Sequence, residues 1–380
     1  MTERFVIDLL RDAQQIADAT GVCFEVLPYH QATPKSDHVE IRAINADTRT
    51  KLLSPPIIIN ATGAWGDWTL KQLNAESRRL FGGTKGSHFY TLKEELRSAI
   101  SDDGVYAEAA DGRLVFILPL HKGTLIGTTD VPFKDRPENA IADRDEVDYL
   151  IEMVNDVVDI QLNRSDVLMT YSGVRPLPYV SSSTTASIPR GHWIESHDDL
   201  PMLTLIGGKL TTCRALAEEV CDVVLRRTGQ TRRESTFDRR LPGAIDILDD
   251  AGVAMELERL SQDYDVSIGQ TTYMWQLFGS LTESILEQLK SEDSDRRVID
   301  GLPISRGLVK WIFQHEWVTK LSDLVERRLL LIFETQLTRG ALVDLANCLV
   351  ECGRLNADNV ENAVDDCIER LGQTYSYQVK

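Results

Sequence analysis

Little in this sequence ties the chain to a membrane, to nucleic acid or to a metal. Its densest apolar run, Leu329 to Phe333, is far too short to span a bilayer. The opening residues, Thr2 to Arg11, mix charges with apolar side chains and lack the apolar core of a secretory signal. A cytoplasmic location is expected, or a peripheral one at the inner membrane. No Lys/Arg tract occurs in the 380 residues, and the formal net charge is −18. That excludes nucleic acid as the main partner. A small anionic ligand stays open, because it needs only a local cationic pocket. The cysteines (Cys23, Cys213, Cys221, Cys348, Cys352, Cys367) show no C-x-x-C spacing, and the histidines show no H-x-x-x-H. No metal site is expected, and the thiols read as buried. Internal repeats and low-complexity runs are also missing. What is present is a core: 42% of residues are hydrophobic, in a chain long enough for two or three domains.

The patterning changes along the chain. Val6, Leu9, Leu10, Ala13, Ile16 and Ala17 predict one helical stripe, stopped by Gly21. Cys23 to Leu27 and Val39 to Asn45 read as strands. Ile57-Ile58-Ile59, after Pro55-Pro56, reads as a strand buried on both faces. From Lys85 a meander follows, with β-like runs at Val105 to Ala109, Leu114 to Leu118 and Leu125 to Thr128. Asp111-Gly112 and Lys122-Gly123 supply its turns. Val147, Leu150, Ile151, Val154 and Val158 mark a helix. Ser181 to Thr185 reads as a polar loop. After Leu241-Pro242-Gly243 every segment is helical, with Asp323, Glu326, Arg327 and Arg328 on a solvated face and Trp311 and Trp317 in the core.

Gly207-Gly208-Lys209-Leu210-Thr211-Thr212 is the most informative stretch. It joins an apolar strand, Leu203 to Ile206, to a helical pattern running from Leu210 to Val224. A strand, a glycine turn and a helix aim free N–H groups and a helix dipole at an anion. Lys209 adds a full charge. A tight connection with a surface lysine is an equal alternative. Arg175, in Tyr171-Ser172-Gly173-Val174-Arg175-Pro176-Leu177, lies between an apolar residue and a proline. A semi-buried arginine needs a phosphate or carboxylate, so it reads either as a ligand clamp or as a structural salt bridge. His88, in Lys85-Gly86-Ser87-His88, reads as a general base or as a histidine bonded to backbone. Thr128-Thr129-Asp130 reads as a pocket lining or as a turn that satisfies itself.

In this order, Asn60-Ala61-Thr62-Gly63-Ala64-Trp65, Lys85 to His88, Ile126 to Asp130, Tyr171 to Leu177 and Gly207 to Arg214 resemble the FAD-dependent glycerol-3-phosphate dehydrogenases. His315 to Val318 and Leu321 to Arg328 resemble that family's helical C-terminal domain. The resemblance implies an α/β plus α fold: an incomplete Rossmann-like FAD-binding domain, an inserted antiparallel-sheet substrate domain and a C-terminal helical domain. The implied division is 1–84, 85–174, 175–240 and 241–380.

The implied reaction is oxidation of sn-glycerol 3-phosphate to dihydroxyacetone phosphate, by hydride transfer to flavin N5 with electrons passed to a quinone. Arg175 and Arg190 would hold the phosphate, His88 would be the base, and Lys209 would sit by flavin or substrate. Ala61, Thr62, Gly63 and Trp65, with Gly207, Gly208, Lys209, Leu210 and Thr211, would approach FAD.

The family's N-terminal strand and G-x-G-x-x-G turn have no counterpart in these residues. An N-terminally truncated member is therefore expected, inactive alone, its missing piece either a separate companion chain or lost through a gene break or a misplaced start. The alternatives are a non-catalytic remnant that binds a phosphorylated small molecule, and a related glycine-oxidase-like flavoprotein.

Overall fold

A computed structural model describes residues 2–35, 38–44, 50–75, 77–109, 111–180, 191–197, 200–244, 248–333 and 337–380. The first helix, α1 (Thr2–Thr20), forms as its periodicity predicts, but a different face is buried. Val6, Leu9 and Ile16 of the expected stripe are exposed, whereas Arg4, Ile7, Asp8 and Ala17 are buried. Ion pairing decides the orientation. Arg4 donates to both carboxylate oxygens of Glu316, at 2.6 and 2.8 Å, and its Nε–H donates to the Leu277 carbonyl. A buried bidentate pair is strongly destabilising to break, so it outweighs a few exposed aliphatics. By its contacts α1 belongs to a compact unit of Met1–Pro28 and Arg240–Lys380, and Tyr29–Arg239 forms a second. Cys23 to Leu27 pairs with no strand among the described residues, contrary to expectation.

Among its described residues the second unit holds three sheets. In the first, β1 (His30–Pro34), β2 (Val39–Ala43) and β3 (Lys51–Leu53) pair antiparallel in that order. Next in the chain come β4 (Ile58–Asn60) and α2 (Gly66–Gln72). The meander comprises β5 (Thr84–Thr91), α3 (Glu94–Ile100), β6 (Val105–Glu108), β7 (Leu114–Leu120), β8 (Gly123–Gly127) and β9 (Val131–Pro132), then α4 (Arg144–Val157) and β10 (Val167–Arg175). It makes an antiparallel sheet ordered β10-β5-β8-β7-β6, with β9 also on β5. The chain then adds β11 (His192–His197), β12 (Met202–Gly207) and α5 (Cys213–Arg227). In the third sheet, β12 pairs antiparallel with β11 and parallel with β4. β4 is an edge strand there, and Ile59 is 45% exposed, so that strand is not buried on both faces.

Helices α3 and α4 cover one face of the meander sheet. Leu96 and Ile100, with Val147, Leu150, Ile151 and Val154, pack on Phe89, Val115, Ile117 and Ile126. The opposite face is left for the site. An Asp143–Glu146 capping box starts α4.

The remaining helices of the first unit are α6 (Asp250–Tyr264), α7 (Ile268–Phe278), α8 (Thr282–Ser291), α9 (Arg306–His315), α10 (Leu321–Asp323), α11 (Arg339–Glu351) and α12 (Val360–Tyr375). Trp311 is buried there as expected. Glu326 is not on a solvated face: it is 2% exposed and accepts from Arg370 and Tyr375. The thiols also divide, with Cys348 and Cys367 buried and Cys23 and Cys221 exposed. No described helix is long and apolar enough to cross a membrane.

Candidate active site

One row of the meander sheet gathers the site. Across β6, β7, β8, β5 and β10 the register places Tyr106, Phe116, Gly127, His88 and Tyr171 side by side. The His88 ring stacks on Tyr171, with centroids 4.7 Å apart and planes 9° apart. On its other side Gly127 makes room, because a Cβ there would lie 2.1 Å from His88 Cδ2. Burial, with the nearby Arg175 charge, pushes the His88 imidazole down to about 4. It is neutral at pH 7 with its lone pair free, and the same burial and charge hold its basicity low. Its Nδ1 is buried without a partner.

Two residues along, Gly86 faces Gly173. A side chain at Gly173 would meet nothing within 4 Å, whereas a Cβ at Gly86 would sit 2.5 Å from Arg175 Nη2. The guanidinium therefore lies over Gly86, one row from His88. Rows of one face are about 7 Å apart, so the gap between imidazole and guanidinium suits a short phosphate ester. Arg175 Nη1 donates to Asp130 Oδ1 at 3.0 Å and Thr84 Oγ1 at 3.3 Å. Nη2 donates to Thr128 Oγ1 at 3.0 Å and the Thr129 carbonyl at 3.1 Å. Arg175 thus has the salt bridge that sequence offered as one alternative, yet its side chain is 33% exposed.

Behind the sheet Lys85 holds the turn that carries Thr128 to Asp130. Its ammonium contacts Glu146 at 2.7 Å and Asp143 at 3.2 Å and donates to the Ile141 carbonyl. Burial opposes its charge, but the bonds to Glu146 and Asp143 prevail and raise its pKa. Glu146 accepts from Thr129 Oγ1, which itself accepts from the Ser87 N–H.

A cleft of about 260 Å³ opens beside Arg175, with Ala64, Trp68, Arg79 and Lys134 among its lining. It links the Asn60 to Trp65 segment to the arginine. Gly63 to Trp65 is a short helical turn packed on both β10 and β12, and its entry is latched by Asn60. Asn60 Oδ1 accepts from Thr62, and Nδ2 donates to Thr204 Oγ1 and the Gly66 carbonyl. Trp65 is 43% exposed and donates to Glu138.

Lys209 is not brought into this cleft. It is exposed on the turn after β12, where Gly207 and Gly208 take φ of +74° and +88°. Both values need glycine. Leu210 to Thr212 form one turn leading into α5, whose cap Thr212 makes no side-chain bond to the first helical N–H groups. Leu210 and Thr211 are exposed there. Arg190 lies outside the described residues, as does Ser181 to Thr185. Sequence reasoning missed Tyr171 as the His88 platform, Thr84 and Asp130 as Arg175 partners, and the clearing made by Gly86, Gly127 and Gly173. The β-register is the signal that joins them, and it is invisible before strands are paired.

Residues 15–219 match the profile of the FAD dependent oxidoreductase family. The chain belongs to that family. Residues 234–359 match the C-terminal domain of alpha-glycerophosphate oxidase. The chain is 34% identical over 291 residues to the glycerol-3-phosphate dehydrogenase of Synechocystis sp., covering 72% of this chain and 50% of that protein. Identity to the aerobic glycerol-3-phosphate dehydrogenase of Escherichia coli is 30% over 280 residues, covering 71% and 54%. The chain spans about half the length of these curated relatives. Its fold matches the structure of glycerol-3-phosphate dehydrogenase from Bacillus halodurans complexed with FAD, with a TM-score of 0.77 at 20% identity, over 98% of this chain and 73% of that one. The glycerol-3-phosphate dehydrogenase family and the α/β plus α fold expected from sequence are both borne out.

Proposed function

We propose that this chain carries the substrate-side half of an FAD-dependent oxidation of sn-glycerol 3-phosphate to dihydroxyacetone phosphate, with electrons passed to a quinone. The observation that carries the reading is the glycine-floored gap between a neutral His88 and the Arg175 guanidinium. The phosphate sits against Arg175, and Lys209, on the turn before α5, is left to the cofactor side. The C2 hydroxyl then lies toward His88. Neutral imidazole takes the hydroxyl proton as the C2 hydride leaves, and Tyr171 and Gly127 keep the ring in plane while it does so. What FAD supplies when bound is acceptance of that hydride, at N5.

The residues fit such a group at two places. The Gly207 to Thr211 turn, exposed from Lys209 onward, presents the uncapped start of α5, whose positive end favours the electron-rich side of a reduced flavin. Ala61, Thr62, Gly63 and Trp65 form the turn beside the cleft. The ADP half is assigned to a segment outside these residues, on the same polypeptide or on a companion chain.

The test is the visible spectrum of the FAD-loaded protein, made with that segment, under anaerobic conditions. Bleaching by sn-glycerol 3-phosphate, slowed by His88→Gln, is expected. Bleaching by an amino acid and not by the phosphate ester would overturn the substrate assignment.

A further inference from the structure

The Arg175 charge is already answered before any ligand arrives. A guanidinium has five N–H donors. The two terminal nitrogens spend theirs on Asp130, Thr84, Thr128 and the Thr129 carbonyl. Only Nε–H lacks a partner among the described residues. Three of the four acceptors are neutral, and they come from two places, β5 and the turn after β8. They are enough to hold the group in position. What Asp130 adds is a negative charge, through one oxygen at 3.0 Å, on a side chain that is itself 33% exposed. A carboxylate used only for positioning gains by being buried and bidentate. This one is neither.

We propose that Asp130 is an internal competitor for the anionic end of the ligand. It neutralises Arg175 while the site is empty and gives up Nη1 when a phosphate ester enters. The contest selects for charge. A dianionic phosphate outbids one carboxylate, whereas an uncharged polyol leaves the Arg175–Asp130 pair intact. Asp130 thus sets specificity for phosphorylated over free polyols and lowers the affinity for the anion it selects. This rests on the reading that Arg175 receives the phosphate.

The experiment is a calorimetric titration of sn-glycerol 3-phosphate into the wild-type protein, Asp130→Asn, Arg175→Ala and the double variant. Asparagine can still accept from Nη1, so the fold and the Arg175 position are retained; Asp130→Ser is the second variant. Removing one charge a few ångströms from the ligand is expected to tighten binding about tenfold. The gain should vanish in the Arg175→Ala background, and glycerol binding should not change. If Asp130→Asn and Asp130→Ser leave affinity unchanged or weaken it while Arg175→Ala still weakens it, Asp130 is not a competitor and the proposal falls alone. If Arg175→Ala leaves affinity untouched, the phosphate reading falls and the proposal with it.

Discussion

Replacing His88 with Gln removes a proton-binding group whose folded and unfolded affinities differ. In the unfolded chain the imidazole titrates near 6.5; in the folded chain burial and Arg175 hold it at about 4. Above pH 6.5 both states carry a neutral ring, and His88 adds no pH dependence. Between 6.5 and about 4 the unfolded state takes up a proton that the folded state refuses. Stability therefore falls as pH falls through that window, and the loss is complete below about 4. At about 1.4 kcal/mol per pH unit, the window is worth about 3 kcal/mol. Urea unfolding of the wild type and of His88→Gln, measured at steps from pH 7.5 to 4, isolates this share from other titrating groups. The wild type should lose about 3 kcal/mol more than the variant. Parallel curves would refute the burial argument, and with it the claim that His88 stands neutral beside a cation.

Lys85→Met should destabilise the protein by about 3–5 kcal/mol, because it strands the buried Glu146 carboxylate. Thermal unfolding reads this, and adding Glu146→Leu should recover part of the loss. Gly127→Ala places a methyl 2.1 Å from His88 Cδ2, against a ring already stacked on Tyr171. Overpacking of about 1–3 kcal/mol is expected, together with slower flavin reduction; an unchanged melting temperature and rate would contradict the packing described.

Local chemistry was legible in the sequence. The Leu203 strand, its glycine turn and the following helix form where the pattern put them, as do the hairpins of the meander and α4. Each rests on short-range signals: apolar runs, turn glycines, and apolar residues at helical spacing. Partner-dependent features were not legible. The α1 periodicity was right, yet the pairing of Arg4 with Glu316 rotated a different face inward. Ile59 looked like a central-strand residue because periodicity cannot say how many neighbours a strand has. Central β5 carries polar and small residues, Lys85, Gly86 and Ser87, that hide a buried strand. Its polar groups are satisfied by Glu146, Thr129 and Ser172, from remote segments. Arg175 showed in the sequence as an arginine needing a partner; that the partner is Asp130, with room left for a ligand, depended on the pairing of β5 with β10.

A crystal of the protein soaked in sn-glycerol 3-phosphate decides between the sites. The phosphorus should lie against the Arg175 guanidinium, above Gly86 and Gly173, with the C2 hydroxyl toward the His88 imidazole. A phosphate held at the Gly207 to Lys209 turn, with His88 and Arg175 untouched, would contradict it.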